Sequence, residues 1–366
     1  MSRLCACACA LGLLLAAYFG GLLPGAAKAR PEAVARIGAS TAVCPQLFGS
    51  FAAGKWPPAC WRPYGPSSPF NRELGPNPRL SRESSAIVGY MNASGWSFER
   101  ARNGGFALPV GGSRPVYWSQ RSDPIVRVRC VDHFSCLRGL RLRIPRQAQA
   151  QGESDGHMTV VDQLGGHEYD FWQASTPSEG EMTAAAASSI PIGADRGTGL
   201  HGDGEAAYLG LLGGLIRAPE LAAGRIEHAL AAAVPCVQWR DVWPAPRHGR
   251  GDATCDGRRG DGPHLGSLLR LDMSEAQIMA SGAPPWQRTI MRAMARYGIY
   301  VVDTNGAGNL DISLIEEAEE SFTSFGVDGP TGAFARSLGT PDKLIGVPID
   351  LAKLRVVAPC VAQQSC

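Results

Sequence analysis

Four residues set out the chemistry this chain could perform. Glu168 and Asp170 stand two positions apart. On a β-strand that places both carboxylates on one face, roughly 7 Å apart by the strand rise. Such a pair suits glycosidic hydrolysis, where one group protonates the leaving oxygen and the other activates water or attacks carbon. His157 and His228 add two imidazoles. Either, with an arginine neutralising a uronate carboxylate, could act as the base of a polysaccharide β-elimination. Trp172 shares the strand face of the two acids and offers a surface on which a sugar ring could stack.

Each of these residues also has a plainer reading. Glu168 and Asp170 can hydrogen-bond sugar hydroxyls without catalysis, or simply brace the fold. A lone histidine such as His228 on an apolar face is commonly a hydrogen-bonded core residue. Glu168-Tyr169-Asp170 resembles the E-x-D start of sandwich glucanase motifs, but Trp172 stands where their second Glu would be.

A hairpin must position the acids. The stretch DGHMTVVDQLGGHEYDFW, Asp155 to Trp172, reads as a strand from His157 to Val161, a turn at Gly165-Gly166 and a return strand from Glu168 to Trp172. A second hairpin precedes it. Ile125 to Cys130 and Leu137 to Ile144 alternate apolar residues with arginines, and a Cys130–Cys136 bond would clip the loop. The outer face then carries Arg141 and Arg143, whose rigid forks suit an anionic polymer, although a solvated strand face explains them more simply.

Elsewhere the helical signals are sparse. Pro285 to Tyr297 is the one expected long helix, with Pro285 in its first turn, a stripe of Trp286, Ile290, Met294 and Tyr297, and Gly298 to stop it. Shorter helices are expected at Ser84 to Met91 and Pro219 to Ala223. Strands are expected at Arg225 to Val234, Leu265 to Asp272, Ile299 to Asp303 and Leu354 to Val357. The high counts of Gly (45) and Pro (27) favour turns and short strands.

The ends and the cysteines bear on compartment. Residues 1–29 have the form of an export signal: Arg3, an apolar run from Leu11 to Leu23, and an Ala27-Lys28-Ala29 cleavage site. Removing it takes Arg3 and Lys28 from the 35 basic residues and leaves 33, against 33 acidic ones. A near-zero net charge argues against general nucleic-acid binding. Eight cysteines remain, and sequential pairing closes the shortest loops: Cys44–Cys60, Cys130–Cys136, Cys236–Cys255 and Cys360–Cys366. Residues 30–85 are rich in Pro, Ser and Asn and read as an extended arm anchored by Trp56, Trp61 and Phe70. Residues 86–366 read as a single β-rich domain.

Several catalytic signatures are missing: the G-x-S-x-G elbow, the H-E-x-x-H zinc helix and the Walker loop. The G-x-G-x-x-G at Gly197, Gly199 and Gly202 follows Ala194-Asp195-Arg196 rather than an apolar strand, and Asp203 and Glu205 would repel a pyrophosphate. His201, Asp203 and Glu205 alternate as metal ligands can. A flexible polar loop is the simpler reading, and neither metal nor cofactor is expected.

SSPFNRELGPNP, DGHMTVVDQLGGHEYDFWQA, GLLGGLIRAPELAAGRIEHAL and MRAMARYGIYVVDTNGAG together resemble a family of exported, largely uncharacterised proteins from actinobacteria and other soil microbes, over roughly residues 66–315. The resemblance implies export and a β-rich fold, and brings no catalytic residue with it. The expectation is therefore a secreted, monomeric, mostly β protein, a jelly-roll-like β-sandwich with one long helix and disulfide-pinned loops. Its expected partner is a polysaccharide or other cell-surface glycan, with no membrane span after signal cleavage. It would act as a glycoside hydrolase or lyase through His157, Glu168, Asp170 and His228, with Trp172, Arg141 and Arg143 on the substrate. The alternative is a non-catalytic carbohydrate-binding or wall-associated module.

Overall fold

The computed structural model describes residues 51–98, 113–131, 136–137, 139–152, 155–192, 198–202, 204–238, 240–246, 254–255, 261–305, 310–318, 320–326, 337 and 347–366. Residues 1–29, Cys44, Gly197 and Asp203 lie outside them. The described residues all belong to one compact unit, Cys44–Cys366.

Three mixed sheets carry the fold. The central one runs β2 (Val116–Ser119), β5 (Met158–Asp162), β6 (His167–Trp172) and β8 (Ala186–Pro191). The expected hairpin is here, with Thr159 opposite Asp170 and Val161 opposite Glu168. Gly166 N–H closes its turn on Asp162 O at 2.9 Å. Met158 to Val161 are all buried, since β5 is covered on both faces.

On one face lies a three-stranded sheet, β4 (Arg141–Arg143), β3 (Ile125–Cys130) and β7 (Glu181–Ala184). Val126, Val128, Leu142 and Met182 meet Met158, Val160 and Phe171 in a closed apolar cluster. Each such large side chain stabilises the fold by roughly 1.5–3 kcal/mol through burial. The alternation in IVRVRC leaves Arg127 and Arg129 outside, as the sequence predicts.

On the other face lies the larger core. Its sheet runs β12 (Ser313–Leu314), β9 (Leu230–Val234), β11 (Ile299–Thr304), β10 (Leu268–Leu271) and β14 (Leu354–Val357). A short parallel pair, β1 (Ser113–Arg114) with β13 (Glu316–Glu317), lies beside it in sequence. The helices are α1 (Ser84–Ala93), α2 (Ala218–Ala223), α3 (Glu275–Ala280) and α4 (Pro285–Arg296), with further short turns of helix. In α4, Trp286, Ile290 and Met294 are buried in the expected stripe. Gly298 ends it with φ +86°, where an added Cβ would sit 2.9 Å from Leu269 O.

The chain is thus mostly sheet, but the pairings are not those of a jelly roll. That architecture is antiparallel, whereas β2–β5, β3–β7 and β9–β11 run parallel. Parallel neighbours need crossovers, and the long excursions between these strands supply them. The short helices expected from Ser84 and from Pro219 are present as α1 and α2, and α3 is a further short helix that the sequence reading did not expect. The expected strand from Arg225 begins only at Leu230, so His228 precedes it.

Three of the sequential disulfides are present: Cys130–Cys136, Cys236–Cys255 and Cys360–Cys366. Cys60 is also disulfide-bonded. Residues 51–85 have little regular structure, yet Trp61, Tyr64 and Phe70 are buried in the large core. No helix among the described residues is long and apolar enough to cross a membrane.

Candidate functional site

The predicted acids come first. On β6, Glu168 and Asp170 point away from the three-stranded sheet, toward a glycine-rich loop from Gly199 to Gly214. That loop folds back on itself through Gly202 N–H to Tyr208 O and Gly210 N–H to Gly199 O, both 2.9 Å. His201 (φ +68°) and Tyr208 (φ +53°) hold left-handed backbone without being glycine. Its consecutive amides cap the acids: Leu211 N–H donates to Asp170 Oδ2 at 3.1 Å and Leu212 N–H to Glu168 Oε1 at 2.8 Å. Tyr64 Oη donates to Glu168 Oε2 at 2.7 Å, and Thr159 Oγ1 to Asp170 Oδ1 at 2.8 Å.

All four carboxylate oxygens therefore have donors, and both residues are 0% exposed. Burial pushes Glu168 up to about 7 against the pull of its Tyr64 and Leu212 bonds. Asp170 rises well above the carboxylate range, through burial and then through the neighbouring Glu168 charge. Tyr64 is raised by burial and by the same two acids. The loop must come close for this. An added Cβ on Gly204 would lie 2.9 Å from Asp170 Cβ, and one on Gly210 would overlap Tyr64 Oη. The acids brace the fold and do not face a groove.

Two further acids lie at the edge of this cluster. Glu205, on the same loop, is buried beside Arg114, with Nη2 to Oε1 at 3.5 Å. Burial lifts it to about 8 even with Arg114 opposing. Asp303 is half-buried near the C-terminal end of β11, where a register shift against β9 falls between Val301 and Asp303. Burial raises it to about 6, against the Thr304 N–H bond and Arg114. His157 is buried nearby, lowered well below 6.5 by burial and by Arg114, and it bonds the Gly204 backbone.

His228 belongs elsewhere. Its Nε2 lies 3.0 Å from Glu220 Oε1 and its Nδ1 lies 2.8 Å from Ala229 O. Arg217 Nη2 donates to the same Glu220 oxygen at 2.8 Å and to Trp61 O at 2.9 Å. Burial raises Glu220, yet Arg217 and His228 together hold it below 4.5. This is a buried clasp between α2 and the arm, remote in role from His157.

The predicted binding residues also separate. Trp172 is half-buried at the end of β6. Arg141 is exposed and Arg143 half-buried on the outer face of the three-stranded sheet, with the apolar cluster between them and the acids. Arg143 Nη1 donates to Asp123 O at 2.8 Å. Among the described residues, no three His, Cys, Asp or Glu side chains gather as a metal site. Of the alternating series His201, Asp203 and Glu205, His201 is exposed and Glu205 turns inward to Arg114.

A cavity lies at the edge strand β2. It holds about 150 Å³ and is walled by Trp56, Tyr117, Trp118 and Phe325, with Gln120 and Asp123 among its polar groups. Trp56, Gln120, Asp123 and Phe325 are half-buried and form a rim that reaches solvent. The arm supplies one wall. Ala52 and Lys55 exchange backbone bonds around the left-handed Gly54 (φ +77°). Gln163 bonds both the N–H and the C=O of Phe51, at 2.9 and 2.8 Å, and Gln120 Nε2 also donates to Phe51 O. Trp56 packs edge-on to Phe322 with centroids 4.5 Å apart. Trp118 is edge-on to Phe51 and Trp61 at 5.0 and 5.2 Å, and its indole N–H has no hydrogen-bond partner among the described residues.

Sequence reasoning missed Tyr64, Arg114, Trp118 and Asp123. The one available signal for Trp118 was the paired aromatic V-Y-W-S run. Compared with protein-family models, curated proteins and solved structures, the chain matches none.

Proposed function

We propose that this is an exported carbohydrate-binding protein whose site is the aromatic cavity on β2. The observation that carries the reading is the pairing of open volume with aromatic walls: about 150 Å³ behind a rim of Trp56, Gln120, Asp123 and Phe325. A cavity of this size admits one six-membered ring. Aromatic faces stack on the C–H face of a sugar, while a few polar groups fix its orientation. The disulfides support an oxidising, extracellular setting, and the resemblance to exported soil-microbe proteins agrees with it. The test is titration of the purified mature protein with an oligosaccharide panel, followed by tryptophan fluorescence. Trp56→Ala is expected to weaken binding at least tenfold without a large change in melting temperature. No saturable binding to any member of the panel would refute the reading.

The gathering of Glu205, Asp303 and His157 around Arg114 favours a second reading. Near pH 7 a carboxyl at about 8 holds its proton while one at about 6 has lost it. That is the division of labour between the acid and the base or nucleophile of a glycosidase. Neutral His157 near Arg114 would suit elimination instead. New reducing ends lost in both Glu205→Gln and Asp303→Asn would support hydrolysis, and new ultraviolet absorbance from an unsaturated uronate would support elimination. Binding without either product leaves the first reading alone.

A further inference from the structure

The cavity has a charge preference as well as a shape. Among the described residues that line it, Asp123 carries the one charged side chain. The other polar liners are engaged inside the protein. Gln120 Nε2 donates to Phe51 O and Trp118 O, Ser321 Oγ accepts from Val116 N–H at 2.7 Å, and Tyr117 Oη donates to Gln149 O at 2.8 Å. Asp123 Oδ2 accepts Gln120 N–H at 2.6 Å, and Oδ1 has no hydrogen bond among the described residues. Aromatic faces are the negative side of a quadrupole and attract cations. A half-buried carboxylate in a cavity lined by Trp56, Tyr117, Trp118 and Phe325 is therefore a place where an ammonium gains twice, and burial already raises Asp123. Arg143 and Arg146 are the positive charges near Asp123 that oppose a further cation. Neither lines the cavity, and Arg143 is turned to the Asp123 carbonyl.

We infer that the cavity selects a sugar bearing a free amine, a hexosamine unit whose ammonium meets Asp123 while its ring lies against the aromatic walls. This rests on the proposed glycan-binding role and narrows it. The acetylated sugar loses the charge and the neutral hexose lacks the nitrogen, so both lose the ion pair and the cation–π attraction.

The experiment titrates the full mature chain at pH 6.5 with the methyl glycosides of glucosamine, N-acetylglucosamine and glucose, and with short oligomers of each. Glucosamine is expected to bind at least tenfold more tightly than the other two, and less so in high salt. Asp123→Asn should bring the three to parity, whereas Trp56→Ala should weaken all of them. Equal affinity in the unsubstituted protein would overturn the amine preference and leave glycan binding standing. A preference that survives Asp123→Asn would overturn the assignment to Asp123. Failure of every sugar and oligomer to bind would remove both claims. Should Asp123→Asn not fold, the comparison in the unsubstituted protein still decides the preference.

Discussion

The enclosed polar clusters and the aromatic cavity use similar residue types to opposite ends. Around Glu168 and Asp170, every carboxylate oxygen has a donor and both side chains are buried. Around Glu220, Arg217, His228 and a backbone amide likewise engage both oxygens. At Asp123 one oxygen is left over and about 150 Å³ lies in front of it. The difference teaches that neither a carboxylate's presence nor its perturbed titration marks a binding site. What marks it is unspent hydrogen-bonding capacity beside space.

Breaking the enclosed side should cost the most stability. Arg217→Met removes the guanidinium partner of buried Glu220 and releases the Trp61 carbonyl, with an expected loss of about 3–5 kcal/mol in urea unfolding. A loss below about 1 kcal/mol would mean that the clasp is not a tight one. Next comes pH. Glu168 at about 7 and Glu205 at about 8 hold more protons folded than unfolded. Their contribution is full below about pH 4.5 and fades as pH rises through 7 and 8. The melting temperature should fall between pH 5 and pH 8, by the equivalent of a few kcal/mol at about 1.4 kcal/mol per pKa unit, and Glu205→Gln should flatten the slope. Glu220 works in the other direction, its contribution being lost as pH falls below 4.5.

Smaller effects sharpen the contrast. Gly210→Ala drives a methyl into Tyr64 Oη and should cost about 1–3 kcal/mol by overpacking. Tyr64→Phe leaves Glu168 Oε2 without its donor and should cost about 1–3 kcal/mol. Arg141→Ala, on the solvated outer face, should stay within about 0.5 kcal/mol and leave sugar titrations unchanged. A large loss of glycan binding there would move the site to the arginine face.

The pattern of what was legible follows from range. Period-two alternation exposed both hairpins, and in HEYDFW it placed Glu168 and Asp170 on one face correctly. It could not say which face, because β6 is buried on both sides and its polar side meets a loop some forty residues later. Glycines from Gly199 to Gly214 looked like flexibility in the sequence. Gly204 and Gly210 are instead the positions where backbone must pass against Asp170 and Tyr64. The helix stripe of α4 was readable because it is local. The parallel pairings were not, since nothing near Val116 or Ile299 announces a partner more than forty residues away. The cavity was the least legible feature, assembled from side chains near positions 56, 120 and 325.

Phe51 is fastened to the central sheet through two glutamines, and Trp56 hangs from the tight turn just after it. Expression vectors that trim this chain to its regular secondary structure, beginning near Ser84, would discard one wall of the cavity. Such a shortened protein would make a poor negative control, because silence in a sugar titration would report the surgery and not the biology.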